Sequence, residues 1–97
     1  MSKIIFRVSY KIKEEKINDF RTLAAKLRTE FGNLGVNYGI YNVQGHELEF
    51  EEIFICESQE EYDQLEDQSN DTVQLLVDKL ARCVNGKMQY TTLHEVA

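Results

Sequence analysis

Residues 3–12 alternate without a break: Ile4, Phe6, Val8, Tyr10 and Ile12 fall on one side, and Lys3, Ile5, Arg7, Ser9 and Lys11 on the other. Successive side chains of a β-strand point to opposite faces, so a run of this kind predicts a strand with one apolar face and one mixed face. Whatever else the chain does, it must cover the apolar side of that strand.

The period changes directly afterwards. Ile17, Phe20, Ala24, Leu27 and Phe31 recur at steps of three and four, which predicts an amphipathic helix over about 14–31. Glu14 and Glu15 suit its positive N-terminal end, and Gly32 stands where a left-handed C-terminal cap is expected. Residues 36–44 and 47–57 read as two further strands, with Gly45 and His46 at the bend of a hairpin. In the second of these, Leu48, Phe50, Glu52, Phe54 and Cys56 share a face, while Glu47, Glu49, Glu51 and Glu57 lie opposite with Ile53 and Ile55. Ser58 followed by Glu61 has the form of a capping box, opening a short helix with Tyr62 and Leu65 turned inward. Asn70 or Ser69 caps the next helix, whose buried stripe is Val73, Leu76, Val77, Leu80 and Val84, with Gly86 ending it. Residues 87–96 return as a last strand, Met88, Tyr90, Thr92, His94 and Val96 on one face and Gln89, Thr91, Leu93 and Glu95 on the other.

Strand, helix, hairpin, helix pair, strand is the order of a ferredoxin-like α+β domain, βαββαβ. It implies one domain over 1–97, a four-stranded antiparallel sheet with helices on one face, and the first and third strands as central neighbours. A chain this short buries only somewhat over about 60% of its unfolded surface, so a second copy would help it. Charge is distributed to match. Residues 1–28 hold eight Lys or Arg against three acids, whereas 29–78 hold thirteen acids and no Lys or Arg. On the sheet face away from the helices, Lys3, Arg7 and Lys11 are expected to meet Glu49, Glu51 and Glu57, with Ile5, Ile53 and Ile55 between them. Such cross-strand pairs contribute about 0.2–1 kcal/mol each and favour a register. An apolar strip among paired charges is a face for a twin copy, so Ile5, Arg7, Ile53 and Ile55 are the dimer-face candidates; the alternative is a solvated face with isoleucines showing.

The stretch Glu52-Ile53-Phe54-Ile55-Cys56-Glu57-Ser58-Gln59-Glu60-Glu61-Tyr62, a strand entering a helix through an acidic turn, resembles the third-strand region of the dimeric α+β barrel superfamily. That group includes antibiotic-biosynthesis-type monooxygenases and stress-responsive barrel proteins, and the resemblance spans nearly the whole chain in element order. It implies two sheets packed face to face and a small ligand held between sheet and helices. The cofactor-free monooxygenases of the group often carry a Trp near the end of the third strand and a His in the following helix. Here that stretch offers Phe54 or Cys56, then Tyr62 and Leu65.

Other matches are weaker. Val43-Gln44-Gly45 resembles an acylphosphatase phosphate loop but lies in the hairpin rather than after the first strand. The glutamates of the third strand and the net charge of −6 oppose nucleic acid, as phosphates would be repelled. A regulatory domain of the ACT type would need a Gly-rich turn where Lys11-Ile12-Lys13-Glu14 stands. His46 and His94 are lone histidines, so no metal site is expected, and neither is any cofactor. No apolar run approaches the roughly 20 residues of a membrane span. The opening residues show no leader, and Cys56 and Cys83 lack the spacing of a redox or zinc motif, which points to reduced thiols in a cytoplasm.

Glu52 is the residue of greatest chemical interest. A carboxyl on an apolar face must find a partner or shift its pKa upward, and a neutralised carboxyl in a pocket can serve as a general acid or base. Glu52 and His94 are the catalytic candidates, and Tyr10, Tyr38, Phe54 and Tyr90 the ligand-pocket candidates; partial exposure for His94 and aromatic packing for the tyrosines are the plainer roles. The expected protein is a homodimeric barrel that binds a small apolar or aromatic molecule. The alternative is a cofactor-independent monooxygenase or isomerase using Glu52 or His94 for proton transfer. A lesser option is that the acidic segment 57–71 docks a basic partner.

Overall fold

A computed structural model of the chain describes residues 2–68 and 70–97. Four strands, β1 (Ile4–Lys11), β2 (Tyr38–Asn42), β3 (Glu49–Cys56) and β4 (Gln89–His94), form one antiparallel sheet in the order β2-β3-β1-β4. Helices α1 (Ile17–Asn33), α2 (Gln59–Asp63) and α3 (Asp71–Ala81) follow β1 and β3 in the βαββαβ order expected, with 3-10 turns at Glu14–Lys16 and Leu65–Gln68. No helix among the described residues is long and apolar enough to cross a membrane.

The alternation in β1 decides which side is packed. Val8, Tyr10 and, beyond the strand, Ile12 are buried in one core with residues of α1 and α3 and Phe50 from β3, and Ile4 is buried at the strand's start. Helix α1 contributes Phe20, Leu27 and Phe31, and α3 contributes Val73, Leu76 and Leu80. Val77 was expected in this stripe and is 38% exposed instead. It lies 100° round the helix from Leu76, outside the arc that Val73, Leu76 and Leu80 share. Val84 is buried, but past the end of α3, where it bridges Ile12; Lys13 N–H to Cys83 O and Asn85 N–H to Lys11 O seal the same join at 2.8 Å.

Caps set the element ends. Ser58 Oγ accepts from Glu61 N–H, and the Glu61 carboxylate accepts from Glu57 N–H, one residue earlier than in the usual capping box. Asn70 Oδ1 accepts from Val73 N–H at 2.8 Å and opens α3; the other expected cap, Ser69, lies outside the described residues. Helix α1 ends at Asn33, two residues past the expected end, so Gly32 lies inside it. Gly35, at φ +74°, is the left-handed residue, with Val36 N–H bonded to Phe31 O (2.9 Å) and Gly35 N–H to Gly32 O (3.1 Å), the two bonds of a Schellman end. The hairpin is longer than a two-residue turn: Gly45 takes φ +81°, and the Asn42 side-chain amide donates to the carbonyls of His46, Glu47 and Glu49.

On the face away from the helices, β1 and β3 meet over eight rungs, Ile5 opposite Ile55 and Arg7 opposite Ile53. Two of the three expected ion pairs form, Arg7 Nε–Glu51 and Lys11 Nζ–Glu49, both at 3.4 Å. Lys3 and Glu57 do not pair. They lie beyond the last rung, Ile4 to Cys56, and the Lys3 backbone N–H turns instead to the Glu95 carboxylate. Surface pairs of this kind contribute about 0–1 kcal/mol each.

The two helix-end glycines give opposite expectations. A Cβ added at Gly32 or Gly35 meets nothing within 4 Å, so only backbone preference differs. Gly32→Ala, in helical conformation, should raise stability by about 0.5–1 kcal/mol. Gly35→Ala should lower it by about 1–2 kcal/mol, because its φ is left-handed. Urea denaturation of both variants measures this, and the same sign for both would misplace the cap.

Candidate functional site

Register brings the one buried charged residue among those described, Glu52, to the centre of the packed sheet face. Its direct neighbours across the ladder are apolar, Val8 on β1 and Ile40 on β2. Polar partners reach it diagonally. Tyr38 is opposite Phe54 and Tyr10 opposite Phe50, each two residues out of step with Glu52, a span that a phenol bridges. The Tyr38 hydroxyl donates to Glu52 Oε1 at 2.6 Å. The Tyr10 hydroxyl is buried on the other side without a hydrogen bond of good geometry, though it lies near enough for the two groups to perturb each other.

Burial pushes the Glu52 carboxyl above the usual carboxylate range, and the two phenols partly hold it down. Both tyrosines are driven above the ordinary phenol range, by burial first and by the Glu52 charge second. The cluster therefore sets a carboxyl with raised proton affinity beside two phenols that stay protonated, one of them hydrogen-bonded to it. Chemically it can donate, accept or hold a single proton out of bulk water.

The remaining candidates are scattered. Tyr38, Phe54 and Phe31 pack on one another with ring centroids 4.5–5.4 Å apart, and Phe20 lies 4.5 Å from Phe50 and 5.9 Å from Tyr10. Phe54, a ligand-pocket candidate, is thus packed among aromatic side chains. Tyr90 is 64% exposed, stacked on Phe6 on the far side of β1, with its hydroxyl on the Met88 sulfur. His94 is exposed and faces Ile4, four residues along β1 from the Val8 that faces Glu52. That is roughly 13 Å along the strand, so the two catalytic candidates do not meet. Cys56 and Cys83 are buried free thiols, raised by burial first. No three His, Cys, Asp or Glu side chains converge on a metal position among the described residues.

Several open spaces border the molecule, and two of them reach Phe50 of this core. The larger, about 630 Å3, lies against the outer sheet face and is lined by Arg7, Ser9, Lys11, Glu49, Glu51 and Gln89 among others. The second, about 350 Å3, runs between α1 and β2; Phe20, Ala24, Ile40 and Phe50 line it with Arg21, Arg28 and Asn42. Residue-by-residue reading missed it. Its signal was present, though: two arginines seven apart on the predicted helix with the small pair Ala24-Ala25 between them.

No protein-family model matches the chain, and no curated protein sequence does. Solved structures share its fold. A conserved protein of Methanosarcina mazei Go1 superposes with a TM-score of 0.84 at 18% identity, covering 99% of this chain and 95% of that one. A protein described as an antibiotic biosynthesis monooxygenase gives 0.80 at 17% over 100% of both chains. SnoaB of Streptomyces nogalater, a cofactor-independent oxygenase, gives 0.73 at 8% over 94% and 90%. These likenesses bear out the expected superfamily resemblance and the ferredoxin-like α+β plan; at such identities they concern fold alone.

The raised Glu52 pKa has a definite sign. Its contribution to stability is fully present below the unfolded carboxyl pKa, about 4.3, and is lost as pH rises through the higher folded value. Glu52→Gln, which keeps an acceptor for Tyr38, should therefore gain on the native protein as pH climbs from 4 to 8. Tyr38→Phe removes the donor and should cost about 1–3 kcal/mol, with the larger deficit at the alkaline end. Urea titrations across that range test both; a Glu52→Gln difference that stays flat with pH would mean the carboxyl is ordinary.

Proposed function

We propose that this chain works as a homodimer, sheet against sheet, that takes up a small apolar or aromatic molecule between α1 and the sheet. The observation that carries the binding half is the groove of about 350 Å3 whose lining includes Phe20, Ala24, Ile40 and Phe50. It falls within the size range of small-molecule sites, is largely apolar, and has polar groups at few places. Ile40 is the rung beside Glu52, so a molecule seated there lies next to the buried Glu52 carboxyl.

The dimer half is supported by the outer face. Ile5, Ile53 and Ile55 are only half-buried, and Leu93, opposite Ile5 on β4, is 43% exposed. Tyr41 lies over Gly39 on the same face, so closely that a Cβ at Gly39 would sit 2.6 Å from its hydroxyl oxygen. A second copy would dry this strip and set its β1 cations near the partner's β3 acids. The buried free thiols suit a reducing compartment such as the cytoplasm.

Both halves can be measured. Sedimentation equilibrium at micromolar concentration should give twice 11.3 kDa, and Ile53→Lys should shift the mass to the monomer. A monomeric native protein would remove the dimer. For the groove, the uncharged dye N-phenyl-1-naphthylamine should bind with a blue-shifted emission, and Ala24→Phe, which fills the space, should weaken it at least about tenfold. Dye affinity that ignores Ala24→Phe would place binding elsewhere.

A second reading is a cofactor-independent oxygenase or isomerase in which Glu52 or His94 carries the proton. It is favoured by the upward shift at Glu52 and by the likeness to SnoaB, described as a cofactor-independent oxygenase. It requires the Glu52 carboxyl to be reachable from the groove. A water-soluble carbodiimide should then modify Glu52 and be blocked by bound dye, as read by peptide mass spectrometry. An inert Glu52 leaves the binding reading standing alone.

A further inference from the structure

Arg21 and Arg28 lie seven residues apart on α1, two full turns or about 10.5 Å along the axis, so both project from the side of the helix that borders the groove. Ala24 and Ala25 lie between them, and their small side chains leave the space open. Neither arginine lies within 4 Å of a carboxylate in any ion pair among the described residues. On the opposite wall, Asn42 has its side-chain N–H groups turned to the hairpin carbonyls of His46, Glu47 and Glu49. The charged donors at the rim are therefore the two guanidinium groups. This stands out in a chain of net charge −6 whose next fifty residues, 29–78, contain no Lys or Arg.

We infer that the groove selects an organic acid: an aromatic or apolar body against Phe20, Ala24, Ile40 and Phe50, with one carboxylate or sulfonate held by Arg21 and Arg28. The inference rests on the binding reading above and specifies its ligand class. A guanidinium presents a planar fork of donors that matches a carboxylate or sulfonate edge, and the flat side chains of Phe20 and Phe50 suit a planar body. The geometry also sets polarity. The acid end stays at the solvent-exposed rim, where its hydration is largely kept, and the apolar end points inward toward Ile40 and the Glu52 rung. The reverse orientation would bury an anion beside a carboxyl and strip it of water.

Two dyes of the same ring skeleton separate the claims. 8-Anilinonaphthalene-1-sulfonate carries the anion that N-phenyl-1-naphthylamine lacks. With the full chain at low ionic strength, the sulfonate should bind about tenfold more tightly than the neutral dye. The double variant Arg21→Gln, Arg28→Gln should reduce that preference to within about twofold. Both positions are exposed on α1, so the variant should keep the native helical circular dichroism signal. Equal affinities in the native protein, or a preference that survives the double variant, would overturn the inference while leaving the groove as a binding site. Failure of both dyes to bind would overturn the binding reading itself.

Discussion

The eight-rung pairing of β1 with β3 assigns a side to almost every functional group in the molecule. Its register puts Phe50, Glu52 and Phe54 under the helices and Glu49, Glu51, Ile53 and Ile55 outside. A slip of one residue would exchange these sets, burying the two charges of Glu49 and Glu51 and exposing the aromatic layer. The cost of that exchange is far larger than the two cross-strand ion pairs, so hydrophobic burial sets the register and Arg7–Glu51 and Lys11–Glu49 merely agree with it.

Glu52 is the price of the arrangement. A leucine or methionine there would satisfy Val8 and Ile40 without desolvating an acid, and buried charged groups rarely repay their own burial. What the carboxyl gains is one short bond from Tyr38 and the proximity of Tyr10. Both phenols are themselves wedged among Phe20, Phe31 and Phe54, so their positions are fixed by aromatic packing before the carboxyl is considered. A pre-set pair of phenols around a strained acid is an arrangement with more chemical use than structural merit. It is the main reason to look for a ligand on this face of the sheet.

Period and polarity made the fold legible. Ten alternating residues, a stripe at three and four, and caps at Ser58 and Asn70 each correspond to an observed element. Misplacements arose where two residues satisfied the same local rule. Gly32 and Gly35 both suit a helix end, and only the bonds from Gly35 and Val36 back into the last turn distinguish them. Val77 sits beside Leu76 in sequence but off its face in space. The site was legible to the extent that strand faces decide it: Glu52, Tyr10 and Tyr38 share a face and do meet. His94 and Tyr90 share that face too, yet a face says nothing of distance along a strand or of the exposure of an outer one. The α1–β2 groove was invisible for a different reason, since it depends on how closely a helix approaches a sheet, which the small side chains of Ala24 and Ala25 set across a tertiary contact.

Strand β2 joins the two halves of the proposed function. It is an outer strand paired only with β3, and five residues long. Tyr38 and Ile40 face inward to Glu52 and the groove, while Gly39 and Tyr41 face outward on the proposed dimer surface. Alternation along so short a segment means that neither side can shift without the other. A second copy pressing on the Tyr41 ring would hold β2 against β3, and with it the Tyr38 hydroxyl on Glu52 and the wall formed by Ile40. Lone edge strands fray readily because half of their backbone groups lack partners. Self-association would then do more than hide isoleucines: it would stiffen the one wall of the groove that the monomer leaves least supported.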